Sequence, residues 1–259
     1  MGAVLGLGGG IIIVPVLSIG LNMPIHEAIA ASLIVITANS LSTSRVYIKN
    51  GLANLNLGSL LAIASVIGAI VGSYVAVSIS EGAVMLILGC MQLLIAYLTY
   101  FRTKSVKPYI QATDNTQNFF GSSYIEKSTG ENITYKAIRV YHNTFFSFLS
   151  GIFSGLTGAG GGVLIIPGMN LISYMPIKAA TATSTFVIGF TAAAGSIVYL
   201  SSGYVNPVTV GAIIIGVFFG TIFSMKFLTK ITDKKVSYIF IVLLLIVSTQ
   251  MIYRGINKL

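Results

Sequence analysis

Charged residues are scarce in this sequence, and their scarcity excludes a water-soluble globular protein. The chain has 259 residues, of which only 15 are Lys or Arg and 6 are Asp or Glu. Soluble domains are about a quarter charged. Hydrophobic residues make up 55% of the chain and its mean hydropathy is +0.91. The composition therefore predicts an integral, multi-pass protein of the cell membrane.

Cysteine, tryptophan and histidine are also rare, and catalytic motifs are missing. A single cysteine, Cys90, excludes an internal disulfide and a thiolate metal cluster. The two histidines, His26 and His142, lie at the ends of apolar runs, so neither predicts a buried catalytic dyad. The chain contains neither a GxxxxGK[ST] nucleotide loop nor a Gly-x-Ser-x-Gly elbow. We expect no enzyme activity and no metal or other cofactor.

What the sequence has in quantity is long apolar runs. A helix needs roughly 20 apolar residues to cross a hydrocarbon core about 30 Å thick, and six runs meet or nearly meet that length without an internal charge. The runs are residues 28–44, 55–79, 83–101, 179–200, 205–225 and 236–253.

An internal repeat relates the two halves of the chain. A shift of 152 positions places GLGGGIIIVP (6–15) on GAGGGVLIIP (158–167), and the register continues without a gap from Ser32 and Ser184 to Arg102 and Arg254. Chance similarity between apolar segments would not keep glycine and proline in one register for so long. We expect repeats at 1–101 and 138–259, joined by a polar, solvated linker at 102–137.

The first repeat is shorter at its start. Met1 aligns with Phe153, so the arm corresponding to residues 141–152 has no counterpart in the sequence. Two explanations fit: the native start lies upstream, or the first arm is truncated.

Basic residues predict that the repeats are inverted. The loop after the second apolar segment of repeat 1 carries Arg45 and Lys49, whereas its counterpart at 201–206 is uncharged. The next pair of loops reverses this pattern, with only Glu81 in the first half and four lysines at 226–235 in the second. Short cytoplasmic loops collect Lys and Arg, and equivalent loops of inverted repeats face opposite sides. The net charge of +9 therefore indicates topology, with the linker cytoplasmic, and we expect no nucleic-acid partner.

Inversion requires an odd number of crossings in each half. The fold class that we predict is an all-α polytopic membrane protein, with three transmembrane helices per repeat. Each repeat adds a glycine-rich broken or re-entrant helix, at 1–22 and 138–175. Eight crossings are the alternative, because residues 138–157 alone are long enough to cross.

Two glycine triplets and two hydroxyl-bearing helices are the candidate site. Three consecutive glycines expose backbone amides, and a half-helix that begins there favours an anion. No Lys or Arg lies in the middle of an apolar run, so the ligand would be held by amides and hydroxyls. The alternatives are glycines that only permit close packing, as at Gly68 and Gly72 or Gly216 and Gly220, and hydroxyls that bond their own helix. The substrate-binding candidates are Gly8, Gly9, Gly10, Ser32, Gly160, Gly161, Gly162, Thr183 and Ser184, and the weaker candidates are Asn39, Thr157, Thr191, His26 and Lys178.

The doubled GxGGGxxxxP signature, each copy followed by Met-Pro-Ile and Ala-x-Ala-[Ala/Thr]-Ser, resembles the TauE/SafE family of sulfite exporters and related permeases. The resemblance implies transport of a small sulfur-containing anion such as sulfite, thiosulfate or an organosulfonate. With the repeats, it leads us to expect a secondary transporter that works by alternating access around a midplane site formed by the two GxGGG loops. The expected partners are that anion, the lipid bilayer and a coupling ion, either proton or sodium. A passive channel for small anions or neutral solutes is the alternative.

Overall fold

The computed structural model describes residues 9–104, 119–125, 130–228 and 233–258, and helices dominate this part of the chain. The elements in chain order are α1 (Gly10–Pro15), α2 (Ile25–Lys49), α3 (Leu55–Ser78), α4 (Glu81–Lys104), β1 (Ser122–Ile125), β2 (Asn132–Tyr135), α5 (Val140–Thr157), α6 (Gly162–Pro167), α7 (Ile177–Ser201), α8 (Pro207–Leu228) and α9 (Asp233–Asn257).

Six long helices coincide with the six predicted apolar runs. Among the described residues, α2, α3 and α7 are long and apolar enough to cross a membrane. The other three, α4, α8 and α9, contain 24, 22 and 25 residues. The predicted class, a helical membrane protein, is confirmed.

Two short helices begin at the glycine triplets and change form at a proline. Helix α1 contains Pro15 and continues as a π-helical turn, Val16–Gly20. Helix α6 contains Pro167 and continues as a second π-helical turn, Gly168–Ile172. Proline has no N–H to donate to the carbonyl four residues earlier, and π-helical turns accommodate such interruptions. The helix that follows the glycine triplet is therefore broken at the same point in both repeats.

Helix α5 and the α6 segment form a hairpin whose two ends lie side by side. The amide of Ile138, just before α5, donates to the carbonyl of Ser173, just after the π-helical turn, at 3.4 Å. Near the same end, a Cβ built on Gly168 would lie 2.6 Å from Oδ1 of Asn143. The chain therefore enters and leaves this hairpin at one side of the molecule.

Small residues bring α3 and α5 into backbone contact. A Cβ built on Gly68 would lie 2.1 Å from the carbonyl oxygen of Phe148, and one on Gly72 would lie 2.1 Å from that of Ile152. On α5, a Cβ at Gly151 would meet the carbonyl oxygen of Ser65 at 2.1 Å. Glycine is needed at these positions because any side chain would separate the helices. The packing role considered for Gly68 and Gly72 is confirmed.

The two glycines of α8, of which Gly220 is equivalent to Gly68 in the repeat, have a different environment. Within the described part of the chain, no atom lies within 4 Å of a Cβ built on Gly216 or Gly220. The same packing role is therefore not found for this pair.

Helices α2 and α7, equivalent in the repeat, run antiparallel. The Ser40 hydroxyl donates to the carbonyl of Thr185, and a Cβ on Gly195 would lie 3.2 Å from Cδ1 of Leu33. Later residues of α2 thus face earlier residues of α7.

The predicted linker at 102–137 contains two short strands, which the sequence did not indicate. Strands β1 and β2 pair antiparallel, with Ser122 opposite Tyr135. The side chains of Tyr124 and Tyr135 are buried in the same apolar cluster as residues of α3. Asn54 also donates from Nδ2 to the carbonyl of Phe120 at 2.8 Å. Burial of the two tyrosines fixes the described part of the linker on the start of α3, and desolvation raises the pKa of Tyr135 to about 12.

The last helix contacts the first broken helix. Arg254 of α9 donates from Nη1 to the carbonyl of Ser18 at 3.2 Å and to Oδ1 of Asn22 at 3.3 Å. Four residues later, Lys258 forms a 2.8 Å ion pair with Glu81, the first residue of α4. The guanidinium satisfies carbonyl groups where the π-helical turn ends.

Candidate functional site

The glycine segments of the two halves touch through their backbones. A Cβ built on Gly10 would lie 2.1 Å from the carbonyl oxygen of Gly158. From the other side, a Cβ on Gly158 would lie 3.0 Å from Cγ2 of Val14 and 3.1 Å from Cγ2 of Ile29. Gly8 lies outside the described residues. Residues 10 and 158 have no room for a side chain at this junction.

The backbone conformation of the glycine segments is a second reason why glycine is needed there. The φ angles of Gly9, Gly160 and Gly161 are 81°, 86° and 71°, values that L-residues adopt at a cost. Gly9 and Gly161 are equivalent in the repeat and directly precede α1 and α6. A Cβ on Gly161 would also approach Oγ of Ser150 to 2.7 Å. Both short helices therefore begin from the same left-handed turn.

The carbonyl groups of these two glycines accept the first amides of the short helices. Ile12 and Ile13 donate to Gly9 at 3.2 and 3.3 Å, and Leu164 and Ile165 donate to Gly161 at 3.2 and 3.4 Å. This pattern directs the amide ends of α1 and α6 toward the glycine segments, where a helix N-terminus favours negative charge. Gly162, the first residue of α6, is buried there.

Of the predicted hydroxyl groups, that of Ser32 lies at the glycine junction. Its Oγ donates to the carbonyl of Gly158 at 2.9 Å and lies 2.7 Å from the Cβ position of Gly10. Ser184, its equivalent in the second half, is also buried and donates to the carbonyl of Thr181 in its own helix at 3.1 Å. Ser32 thus bonds across the two halves.

Two predicted threonines make contacts with α3. Oγ1 of Thr183 accepts the amide of Asn54 at 2.9 Å, where the chain enters α3. Oγ1 of Thr191 lies 2.7 Å from Oγ of Ser65 in the middle of α3. These bonds tie α7 to α3.

Three weaker candidates lie apart from the glycine contact. Nε2 of His26 lies 2.9 Å from the carbonyl oxygen of Ala76, and its ring centroid is 4.9 Å from that of Tyr204. Lys178 is exposed at the start of α7, and Asn39 is half-buried on α2. His26 contacts residues at the end of α3 and just beyond α7.

Beside the glycine contact is a small cavity lined by both halves. Its volume of about 10 Å³ accommodates a single water molecule. A ligand larger than water would fit here only if the lining residues moved apart. Thr157, a weaker candidate, belongs to the lining and bonds the carbonyl of Phe153 at 2.6 Å. The lining residues are Gly10, Ile11, Leu88, Met91, Gln92, Ile95, Thr157 and Ala159.

Gln92 is the polar lining residue that the sequence did not suggest. It lies within α4, is 2% exposed and donates from Nε2 to the carbonyl of Ile11 at 3.1 Å. Its Oε1 is buried and has no partner in the described part of the chain. The signal was present, because Gln92 is the only amide side chain in the apolar run 83–101.

Comparison with known proteins gives a consistent result. The family model described as "Sulfite exporter TauE/SafE" matches residues 1–251. The chain is 30% identical over 263 residues to "Probable membrane transporter protein YunE" of Bacillus subtilis, which covers 99% of this chain and 94% of the relative. It is 23% identical over 223 residues to "Probable membrane transporter protein YdhB" of the same organism, covering 86% of this chain and 83% of that relative.

A third relative comes from an archaeon. "Probable membrane transporter protein MJ0441" of Methanocaldococcus jannaschii is 24% identical over 244 residues, which are 90% of this chain and 82% of the relative. No solved structure matches.

Proposed function

The chain belongs to the TauE/SafE sulfite exporter family, and from this membership we propose that it is a secondary transporter of small sulfur-containing anions such as sulfite, thiosulfate or an organosulfonate. Membrane transport is the function that the family and its named relatives indicate. The anion class and the mechanism are the proposed part.

The observation that carries the proposal is the contact between the glycine segments of the two halves. Gly10 lies against the carbonyl oxygen of Gly158, and Ser32 bonds that same oxygen at 2.9 Å. Helix α1 begins at this contact, and α6 begins at Gly162, shortly after Gly158 in the chain. Each N-terminus has amide donors and partial positive charge. Neutral donors bind an anion without a buried cation, so the anion can also leave.

Alternating access around this contact explains why the site is closed in the structure. The lining cavity of about 10 Å³ is too small for a sulfur oxyanion. If the halves move relative to each other, the glycine contact opens first toward one side and then toward the other. Inverted repeats provide such a motion, and the antiparallel arrangement of α2 and α7 supports them. So does the α5–α6 hairpin, whose ends meet at Ile138 and Ser173.

Flux measurements with the purified protein in proteoliposomes test the function. We expect radiolabelled sulfite, thiosulfate or an organosulfonate to enter faster when the vesicles contain the unlabelled anion. A carrier produces this exchange stimulation because its site returns loaded, whereas a passive channel does not. Absence of flux for all three anions would reject the proposed substrate class, and flux without stimulation would favour the channel.

Cysteine labelling tests the inverted topology separately. Asn50 and Gly203 follow α2 and α7 and are both exposed. Cysteines would be introduced singly at these positions after Cys90 is replaced with Ala. We expect a membrane-impermeant reagent to reach the two positions from opposite sides. Labelling of both from the same side would contradict inversion.

A further inference from the structure

Pro15 determines which way the side chain of Gln92 faces. In an α-helix, the carbonyl of Ile11 would accept the N–H of the residue four positions later, which is Pro15 and has no N–H. Nε2 of Gln92 supplies the missing donor at 3.1 Å. A reversed amide would place Oε1 against the Ile11 oxygen, so the orientation is fixed by chemistry.

The fixed orientation leaves an acceptor beside the cavity. Oε1 of Gln92 is buried without a partner in the described residues, and Gln92 lines the cavity together with Gly10 and Thr157. Much of the remaining lining is apolar and includes Leu88 and Ile95. The cavity has room for one water molecule, which can donate to this oxygen. A ligand that takes the place of the water leaves the acceptor satisfied only if it brings an O–H or N–H group.

We propose, building on the transport function above, that Gln92 makes the site specific for oxyanions that carry a hydrogen-bond donor. Hydrogen sulfite and hydroxylated sulfonates belong to this class. A fully deprotonated dianion or an alkyl sulfonate would face the Gln92 oxygen without donating to it. A site built to bond a donor discriminates strongly against the analogue that lacks it.

The second half has no glutamine equivalent to Gln92, although it contains a proline equivalent to Pro15. Pro167 deprives the carbonyl of Val163 of its helical donor, and the residue equivalent to Gln92 is Leu244, which is buried and apolar. Donor selection is therefore assigned to the first half. The second half supplies a matched control.

Two sulfonates of equal charge and heavy-atom number test the proposal. Hydroxymethanesulfonate and ethanesulfonate differ by a hydroxyl in place of a methyl group. Each would compete with radiolabelled sulfite for uptake into proteoliposomes that contain the full chain. We expect the wild type to bind the hydroxyl compound at least about tenfold more tightly, and Gln92→Leu to bring the ratio close to one.

A second variant covers the possibility that Gln92→Leu fails to fold. Pro15→Ala returns an N–H to the Ile11 carbonyl and frees the Gln92 amide to turn, so we expect the preference to fall here too. Pro167→Ala, the control, should keep the wild-type ratio. An unchanged ratio in Pro15→Ala, or equal binding of the two compounds by the wild type, overturns the proposal while leaving sulfite transport intact. Absence of sulfite flux in the wild type instead overturns the proposed function.

Discussion

Two glycines at equivalent positions of the repeat have opposite surroundings. Gly68 of α3 touches the backbone of α5, whereas its equivalent Gly220 of α8 has no described atom within 4 Å of its Cβ position. The sequences agree at this point, but the neighbouring elements do not, since the described part of the first half has no counterpart of α5. Repeated sequence therefore defines equivalent helices without defining equivalent packing.

The two halves also differ in the polar side chains at equivalent positions. Gln92 lies opposite Ile11, whereas Leu244 occupies the equivalent position. The duplicated backbone forms a common framework, and the side chains that could contact a ligand are asymmetric.

The largest effect is expected from a substitution in the glycine turns, whose backbone conformation is alike in the two halves. Gly161→Val should abolish transport and leave the protein in the membrane, because a side chain there combines a φ of 71° with a 2.7 Å contact to Ser150. Flux in proteoliposomes measures the loss. Gly211→Val is the control, since no described atom lies within 4 Å of its Cβ position. Transport by Gly161→Val would remove this turn from the mechanism.

The next largest effect is expected from a substitution that tests the packing difference between Gly68 and Gly220. Gly68→Leu should destabilise the protein by about 3 kcal/mol or more, because the backbone of Phe148 lies 2.1 Å from its Cβ position. Gly220→Leu should be tolerated. Thermal unfolding of the purified proteins in detergent gives both values, and equal destabilisation would mean that α8 is also covered.

A smaller effect on stability is expected when the hydroxyl groups of Ser32 and Thr185 are removed one at a time. Ser32→Ala removes a buried donor from the carbonyl of Gly158, which should cost about 1–3 kcal/mol and slow exchange of the anion. Thr185→Ala removes a bond to the carbonyl of Thr181 in its own helix and should cost less. Unfolding midpoints and exchange rates provide the comparison. A larger effect at Thr185 would mean that the bond between the halves contributes little.

The last effect concerns the linker and is absent at neutral pH. Burial raises the pKa of Tyr135 in the folded protein from the ordinary value of 10.0 to about 12. Because the unfolded chain loses this proton first, folding stability should fall as the pH rises from 10 to 12, by about 2–3 kcal/mol in total. In Tyr135→Phe this part of the pH dependence should disappear. Tyr141→Phe, which removes an exposed hydroxyl, should behave like the wild type in a denaturant series at each pH.

Much of the fold could be predicted because its main determinant is periodic and long. Apolar length located the six long helices, and the ungapped repeat pointed to the two glycine segments that meet at Gly10 and Gly158. The hairpin was missed because β1 and β2 have four residues each and lie in a polar segment. Their burial depends on contacts with α3 that no local pattern encodes.

The site was less predictable because hydroxyl and amide groups choose partners in three dimensions. Ser32 and Thr183 look alike in the sequence, yet Ser32 bonds Gly158 whereas Thr183 accepts the amide of Asn54. Gln92 was overlooked because its partner, the Ile11 carbonyl, becomes available only through Pro15. Reading that proline as the loss of a donor would have directed attention to amide side chains in the other helices.

The contact between Arg254 and the segment Val16–Gly20 has a consequence for biosynthesis. The guanidinium bonds Ser18 and Asn22 from a position 232 or more residues later in the chain. The ribosome must therefore complete the last helix before the exit of the first broken helix receives this partner. Until α9 has been made, the carbonyl of Ser18 and Oδ1 of Asn22 lack their partner on that helix. The contacts of the first half are therefore completed only after the second half has been synthesised.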